Sequence, residues 1–178
     1  MTLTLEAFAD TIVPGAKRWS GDHSVAGVSI GAGAVEAGAL ELLNMTATGV
    51  TDGLPFLVPA LNGHARTYAA AHEIAGDESL PPFVALPFEH RTALVETLTA
   101  PGHPEKEGWV ALALFCNMAF DSAAHMHTTD AMSSGHPGLQ AMGFYEPGTD
   151  GLWRFPHYSY RRELADVHPN TTRSGSPA

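Results

Sequence analysis

Proline and glycine punctuate this chain where helices begin and end, and that punctuation limits its fold more than any other feature. Pro59, Pro87 and Pro104 each precede a stretch of helical periodicity. Proline is harmless there, because the first turn's N–H groups have no partners within the helix. The spacing predicts one helix from Pro59 to about Ala75, stopped by Gly76, and another from Pro87 to about Thr99. A third and longest helix is expected from Pro104 to about Met132, with Gly135 and Pro137 beyond it. Glu89, Glu105 and Glu107 fall early, where carboxylates suit the helix dipole. Near the start, a helix over 3–13 would place Leu3, Leu5, Phe8, Ile12 and Val13 near one face. Thr2 or Thr4 would cap it and Pro14-Gly15 would end it. A loop is expected over 16–28, followed by a Ser29-capped helix over 30–48. The internal glycines Gly31, Gly33 and Gly38 would weaken that helix and admit a close backbone neighbour. The stretch 109–120 is apolar on almost all sides, which marks its helix as the central, buried one. No run alternates with period two, so no substantial sheet is expected. The predicted fold is all-α, an irregular bundle of about five or six helices.

A chain of 178 residues, 44% hydrophobic, suits a single domain with one core. From about Gly143 the character changes. Phe144, Tyr145, Trp153, Phe155, Tyr158 and Tyr160 stand among glycine, proline and arginine. Such a segment is too irregular to build its own core and too aromatic to stay unpacked. It reads as an extended aromatic arm over 143–178, frayed over 171–178, that drapes over the helices or over a partner.

The formal charge of −10 argues against nucleic acid as a partner. That charge is uneven: residues 1–150 carry five Lys/Arg against seventeen Asp/Glu, whereas the tail carries Arg154, Arg161, Arg162 and Arg173. The single Cys116 excludes an intrachain disulfide and lies in an apolar run, as a buried inert thiol would. The first residues show no secretory leader and 109–120 is too short to span a bilayer, so the expectation is a cytoplasmic protein with no membrane role.

Several short motifs fail on context. Gly27-Val28-Ser29-Ile30-Gly31 matches a nucleophile elbow, but no strand precedes it. Gly31-x-Gly33 has Glu36 where a dinucleotide site needs glycine. His72-Glu73 lacks the second histidine of a zinc protease. The ten histidines carry more information. On a helix, His125 and His127 point about 200° apart and cannot share one ion. His125 instead aligns with Asn117, Asp121 and Thr128 as a polar stripe. An Asp121–His125 pair can hold a tautomer for general-base chemistry or half a metal site, or it can pin helices together. His64, Tyr68 and His72 form a second stripe, spaced by four. If the two stripes face each other, they line one pocket between helices. A third cluster, His157-Tyr158-Ser159-Tyr160-Arg161-Arg162, has the composition of a protein interface or an anion site.

The opening Leu5-Glu6-Ala7-Phe8-Ala9-Asp10-Thr11-Ile12-Val13-Pro14-Gly15 resembles the start of the gluconate 2-dehydrogenase subunit 3 family. Gly143-Phe144-Tyr145 and Trp153-Arg154-Phe155-Pro156 loosely resemble its aromatic end. Proteins of that family are small helical companions of FAD-dependent oxidoreductases of the glucose–methanol–choline type. The chain is also similar to uncharacterised actinobacterial proteins found near biosynthetic oxidoreductases. The resemblance implies a helical accessory subunit, with FAD in the partner and no cofactor of its own. The expected contact surface is Phe8 of the first helix with Trp153, Arg154, Phe155, His157, Tyr158, Tyr160 and Arg161 of the arm. This chain lacks the family's twin-arginine leader and any C-x-x-C-H haem motif. The competing expectation is a freestanding isomerase, dehydratase or cyclase of a biosynthetic pathway. Asp121, His125, Asn117, Tyr68, His64 and His72 would then act on an apolar small molecule, with or without a metal.

Overall fold

The computed structural model describes residues 1–144, together with 158–159, 162–163 and 169–172. The chain divides into two compact units, Met1–Phe144 and Tyr145–Ala178. The first unit is all-α, as expected. Its helices are α1 (Thr2–Ile12), α2 (Ala39–Leu43), α3 (Leu54–Ala71), α4 (Pro82–Ala85), α5 (Phe88–Thr99), α6 (Lys106–Ser122), α7 (Thr128–Ser133) and α8 (Pro137–Ala141). In the second unit, β1 (Tyr158–Ser159) pairs antiparallel with β2 (Arg162–Glu163), Tyr158 opposite Glu163. The expectations for Trp153, Arg154, Phe155, His157, Tyr160, Arg161 and 173–178 lie outside the described residues.

The centre of the bundle is α1. It touches α2, α3, α4, α5 and α6, and Thr4, Leu5, Ala7, Phe8, Ala9 and Asp10 are all buried. Phe8 is wholly enclosed and packs on Phe83 and Trp109, with ring centroids 6.3 and 6.5 Å away. This corrects two expectations. Phe8 is a core anchor rather than a contact residue, and α1 rather than the long helix is the central element. Neither threonine caps α1, whose cap position is Met1. The Thr4 hydroxyl instead accepts a hydrogen bond from Asn62 Nδ2 at 3.2 Å.

The predicted helix over 30–48 reduces to α2, five residues long. Glycine explains the difference. Gly38 sits at φ +85°, a left-handed position that breaks a helix, and the His125 ring lies against its open side. Gly33 packs against the backbone of 13–15, so its segment is drawn into a close crossing rather than a coil. Ser29 makes a local turn with the N–H of Gly31 at 3.3 Å instead of capping a helix. Helix α3 begins earlier than predicted, at Leu54, and carries Pro59 inside it. It ends where Glu73 turns left-handed at φ +54°, before Gly76 is reached. Helix α5 matches its prediction.

The long helix is broken. Helix α6 stops at Ala123, which takes a left-handed conformation at φ +49°. Ala123 is fully buried and forms a small satellite core with Ala131 and Leu139. Burial against α7 and α8 offsets the roughly 1–2 kcal/mol that left-handed alanine costs. Gly138 lets α8 cross directly over the Phe120 backbone, where a Cβ would collide. No described helix is long and apolar enough to cross a membrane.

Candidate functional site

Four features of the first unit bear on function: a buried polar clamp, the histidine row of α3, the surroundings of His125 and the outer face of α6. The most buried group is a clamp that sequence reasoning missed. The Asp10 carboxylate accepts hydrogen bonds from the N–H groups of Gly15 (3.0 Å) and Ala26 (2.8 Å), and so holds both ends of the loop after α1. Desolvation raises the Asp10 pKa above the usual carboxylate value, against the two N–H groups that lower it. Arg18 bridges Glu6 at 2.9 Å and Asp22 at 2.7 Å. The Ser24 hydroxyl lies between the same two acids, at 2.7 and 2.8 Å. Burial pushes the Asp22 carboxyl up, but hydrogen bonds from Arg18 and Ser24 outweigh it and hold the group below the usual range. Arg91, buried on α5, donates to the carbonyls of Leu86, Ser24, His23 and Val84. Burial lowers its pKa. Every member is engaged within the fold, as buried polar groups must be. Gly15 is required as well, because a Cβ there would meet the Gly33 nitrogen at 2.8 Å. The segment Leu5 to Gly15, which carries the family resemblance, thus encodes a buried anchor (Phe8) and a loop clamp (Asp10, Gly15).

The second stripe stays on α3 but divides between two neighbourhoods. His64 Nε2 lies 2.7 Å from Glu105 Oε2 at the start of α6. Its ring meets those of Trp109 and His103 edge-on, at 5.9 and 5.8 Å. The hydrogen bond with His64 and then that from Trp109 Nε1 lower the Glu105 pKa, against slight desolvation. Tyr68 stacks on His72 with centroids 4.2 Å apart, and its hydroxyl lies 3.3 Å from His90 Nδ1 on α5. A histidine on α5 was not among the predicted partners, because sequence spacing reports neighbours only along one helix.

The Asn117–Asp121–His125–Thr128 stripe does not survive the break at Ala123. Asn117 donates to Asp121 at 2.7 Å on the outside of α6. His125 lies beyond the helix and faces the other way, 5.6 Å from the His136 ring and against Gly38. It has left Asp121, so that pairing is corrected. His136 is buried, with Nε2 bonded to the Ala37 carbonyl (3.0 Å) and Nδ1 accepting from the Leu139 N–H (3.3 Å). That pattern places its proton on Nε2. His125 Nδ1 is buried with no hydrogen-bond partner among the described residues. Burial, and then the neighbouring His136, lower the His125 pKa, opposed by Glu41. Since His64, Tyr68 and His72 have other ring partners, the two stripes do not share one pocket lining. Among the described residues, no three His, Cys, Asp or Glu side chains gather as metal ligands. Cys116 is a free, buried thiol whose pKa is pushed up to about 12 by desolvation.

The fourth feature is the outer face of α6. Val110, Leu114, Asn117 and Asp121 recur at helical spacing on one side. Val110 is 40% exposed and Leu114 52%. The opposite face buries Trp109, Leu112, Cys116 and Ala119. Two apolar side chains one turn apart lie about 5–6 Å from each other and make a continuous patch.

A helical body with an internally satisfied polar clamp and an apolar strip on its outside defines a class: a compact all-α unit whose buried polar groups serve its own fold. The chain belongs to the family described as Family of unknown function (DUF5987), which it matches over residues 1–178. No curated protein and no solved structure matches it.

Proposed function

We propose that this chain is a small accessory subunit that docks on an FAD-dependent oxidoreductase through the outer face of α6 and supports that enzyme's folding or activity. The observation that carries the reading is the exposure of Val110 and Leu114 on a helix whose other face is core. Fully burying such a side chain contributes roughly 1.5–3 kcal/mol. Both are already partly buried, so each adds less, and they form the centre of a contact rather than all of it. A stable interface needs about 1,000 Å² or more. The Asn117–Asp121 pair supplies a polar rim beside the apolar centre, the usual anatomy of a protein contact. The resemblance of residues 5–15 to gluconate 2-dehydrogenase subunit 3 supplies the kind of partner. The flavin belongs to that partner, and the setting is a bacterial biosynthetic pathway in the cytoplasm.

The isomerase, dehydratase or cyclase reading needs Asp121 and His125 to meet the His64 stripe, and these residues lie in separate groups. Docking therefore accounts for more of the geometry. The test is co-expression with an FAD-dependent oxidoreductase of the glucose–methanol–choline type. The expected result is a complex that co-elutes on size exclusion and retains more FAD than the flavoenzyme expressed alone. A monomer that leaves the flavoenzyme's FAD content and activity unchanged overturns the proposal.

A further inference from the structure

Behind the C-terminal end of α3 lies an open cleft of about 600 Å³. That volume falls within the range that holds small organic ligands. Its construction is local. Glu73 turns left-handed, and the Ile74 N–H bonds back to the Ala69 carbonyl at 2.9 Å, so the chain reverses at once. The Asp77 carboxylate accepts from the N–H and hydroxyl of Ser79, at 2.9 and 2.6 Å, which sets the loop's turn. Gly76 closes the loop onto Ala85, where an added Cβ would stand 3.1 Å away. Ala69, Ile74, Leu80 and Leu86 supply an apolar floor. Ile74 and Leu80 are packed on the main core from beneath, so the floor is held in place. Arg66 on α3 and Asp77 and Glu78 on the loop that follows it also line the cleft.

Arg66 is unusual. In a chain of net charge −10, it makes no hydrogen bond and no ion pair among the described residues. Arg18 and Arg91, by contrast, are both fully engaged. A guanidinium left free beside an apolar floor is a ready partner for one carboxylate. Asp77 and Glu78, which line the same cleft, would repel a second negative group.

We propose that this cleft binds a small apolar monocarboxylate, with its hydrocarbon body on Ile74 and Leu80 and its carboxylate on Arg66. The site stands independently of the docking reading, since it lies on α3 and the 74–86 segment rather than on α6. Isothermal titration calorimetry would compare decanoate, decanol, decylamine and decanedioate on the full chain. Backbone NMR shifts would locate the bound probe. Decanoate is expected to bind about tenfold tighter than decanol, the usual scale of one charge-assisted hydrogen bond. Decanedioate should bind more weakly than decanoate. Arg66→Gln should erase the preference over decanol while leaving decanol binding unchanged. Ala75→Trp, at an exposed lining position, should block all four probes, with circular dichroism confirming the fold. Equal binding of decanoate and decanol, tighter binding of decylamine, shifts centred outside 66–86, or no binding at all would each overturn the proposal.

Discussion

Helices α1 and α6 invert what their sequence patterns suggest. Helix α6 holds an unbroken apolar run over 109–116, yet Leu114 within it is 52% exposed. Helix α1 carries Thr4, Glu6, Asp10 and Thr11, yet it is the element around which the others pack. The difference lies in what surrounds each one. The polar groups of α1 are paired: Asp10 with the Gly15 and Ala26 N–H groups, Thr4 with Asn62, and Glu6 with Arg18. Pairing removes most of the cost of burial. The outer apolar groups of α6 have no such demand, and their exposure leaves them available to another surface. Position in the fold follows satisfaction of polar groups as much as hydrophobicity.

This contrast can be broken most forcefully at Phe8. Phe8→Ala opens a cavity between Phe83 and Trp109 and should cost about 3–5 kcal/mol in denaturant unfolding. A loss below about 1 kcal/mol would return Phe8 to the surface role its position in the resemblance implied. Next is Arg91→Met, which keeps the buried bulk but strands four carbonyls that Arg91 now serves. About 3 kcal/mol of destabilisation is expected, with faster hydrogen exchange across 16–28. An unchanged exchange rate there would show that the clamp does not hold the loop.

A smaller effect should follow pH in the α7–α8 region. The folded His125 pKa lies below its unfolded value of about 6.5. The neutral ring is therefore the form the fold prefers. Its contribution is complete above that unfolded value and is lost as pH falls through the folded one. The thermal midpoint should drop modestly between pH 7.5 and pH 5, and His125→Gln should reduce the drop. Equal drops in both proteins would remove His125 from the account. Smallest is Glu73→Gly, at the exposed left-handed residue that ends α3. Relief of backbone strain should raise stability by about 0.5–1 kcal/mol, readable as a higher melting temperature. A lower one would mean that the Glu73 side chain contributes a contact.

Much of this fold was legible from punctuation. Pro87 marks the start of α5, and Pro14-Gly15 follows the end of α1. What escaped were stops made by residues that do not announce them. Ala123 and Glu73 adopt left-handed conformations that glycine would have advertised, and only burial or chain reversal explains them. Helical spacing continues past Ala123 in the sequence, so it pairs Asp121 with His125 along a helix that stops short of His125. Gly31, Gly33 and Gly38 were recognised as allowing close approach, which Gly33 and Gly38 do, but the helix expected around them gave way to that approach. The clamp was invisible for another reason. Asp10, Arg18, Asp22 and Arg91 are scattered in sequence, and no periodicity joins α1 to α5. The same holds for the meeting of Tyr68 with His90. By contrast, the His64–Tyr68–His72 row is legible from spacing, because α3 runs unbroken through His64 and Tyr68 and His72 is its C-cap.

The most direct test is the affinity of the full chain for the proposed FAD-dependent oxidoreductase partner, measured for the native protein and for Leu114→Asp. The aspartate would sit at an already exposed position, so the melting temperature should be nearly unchanged. Placing a charge at the centre of an apolar contact should weaken the complex at least about tenfold. An equal dissociation constant for both proteins would contradict the assignment of the α6 outer face as the docking surface.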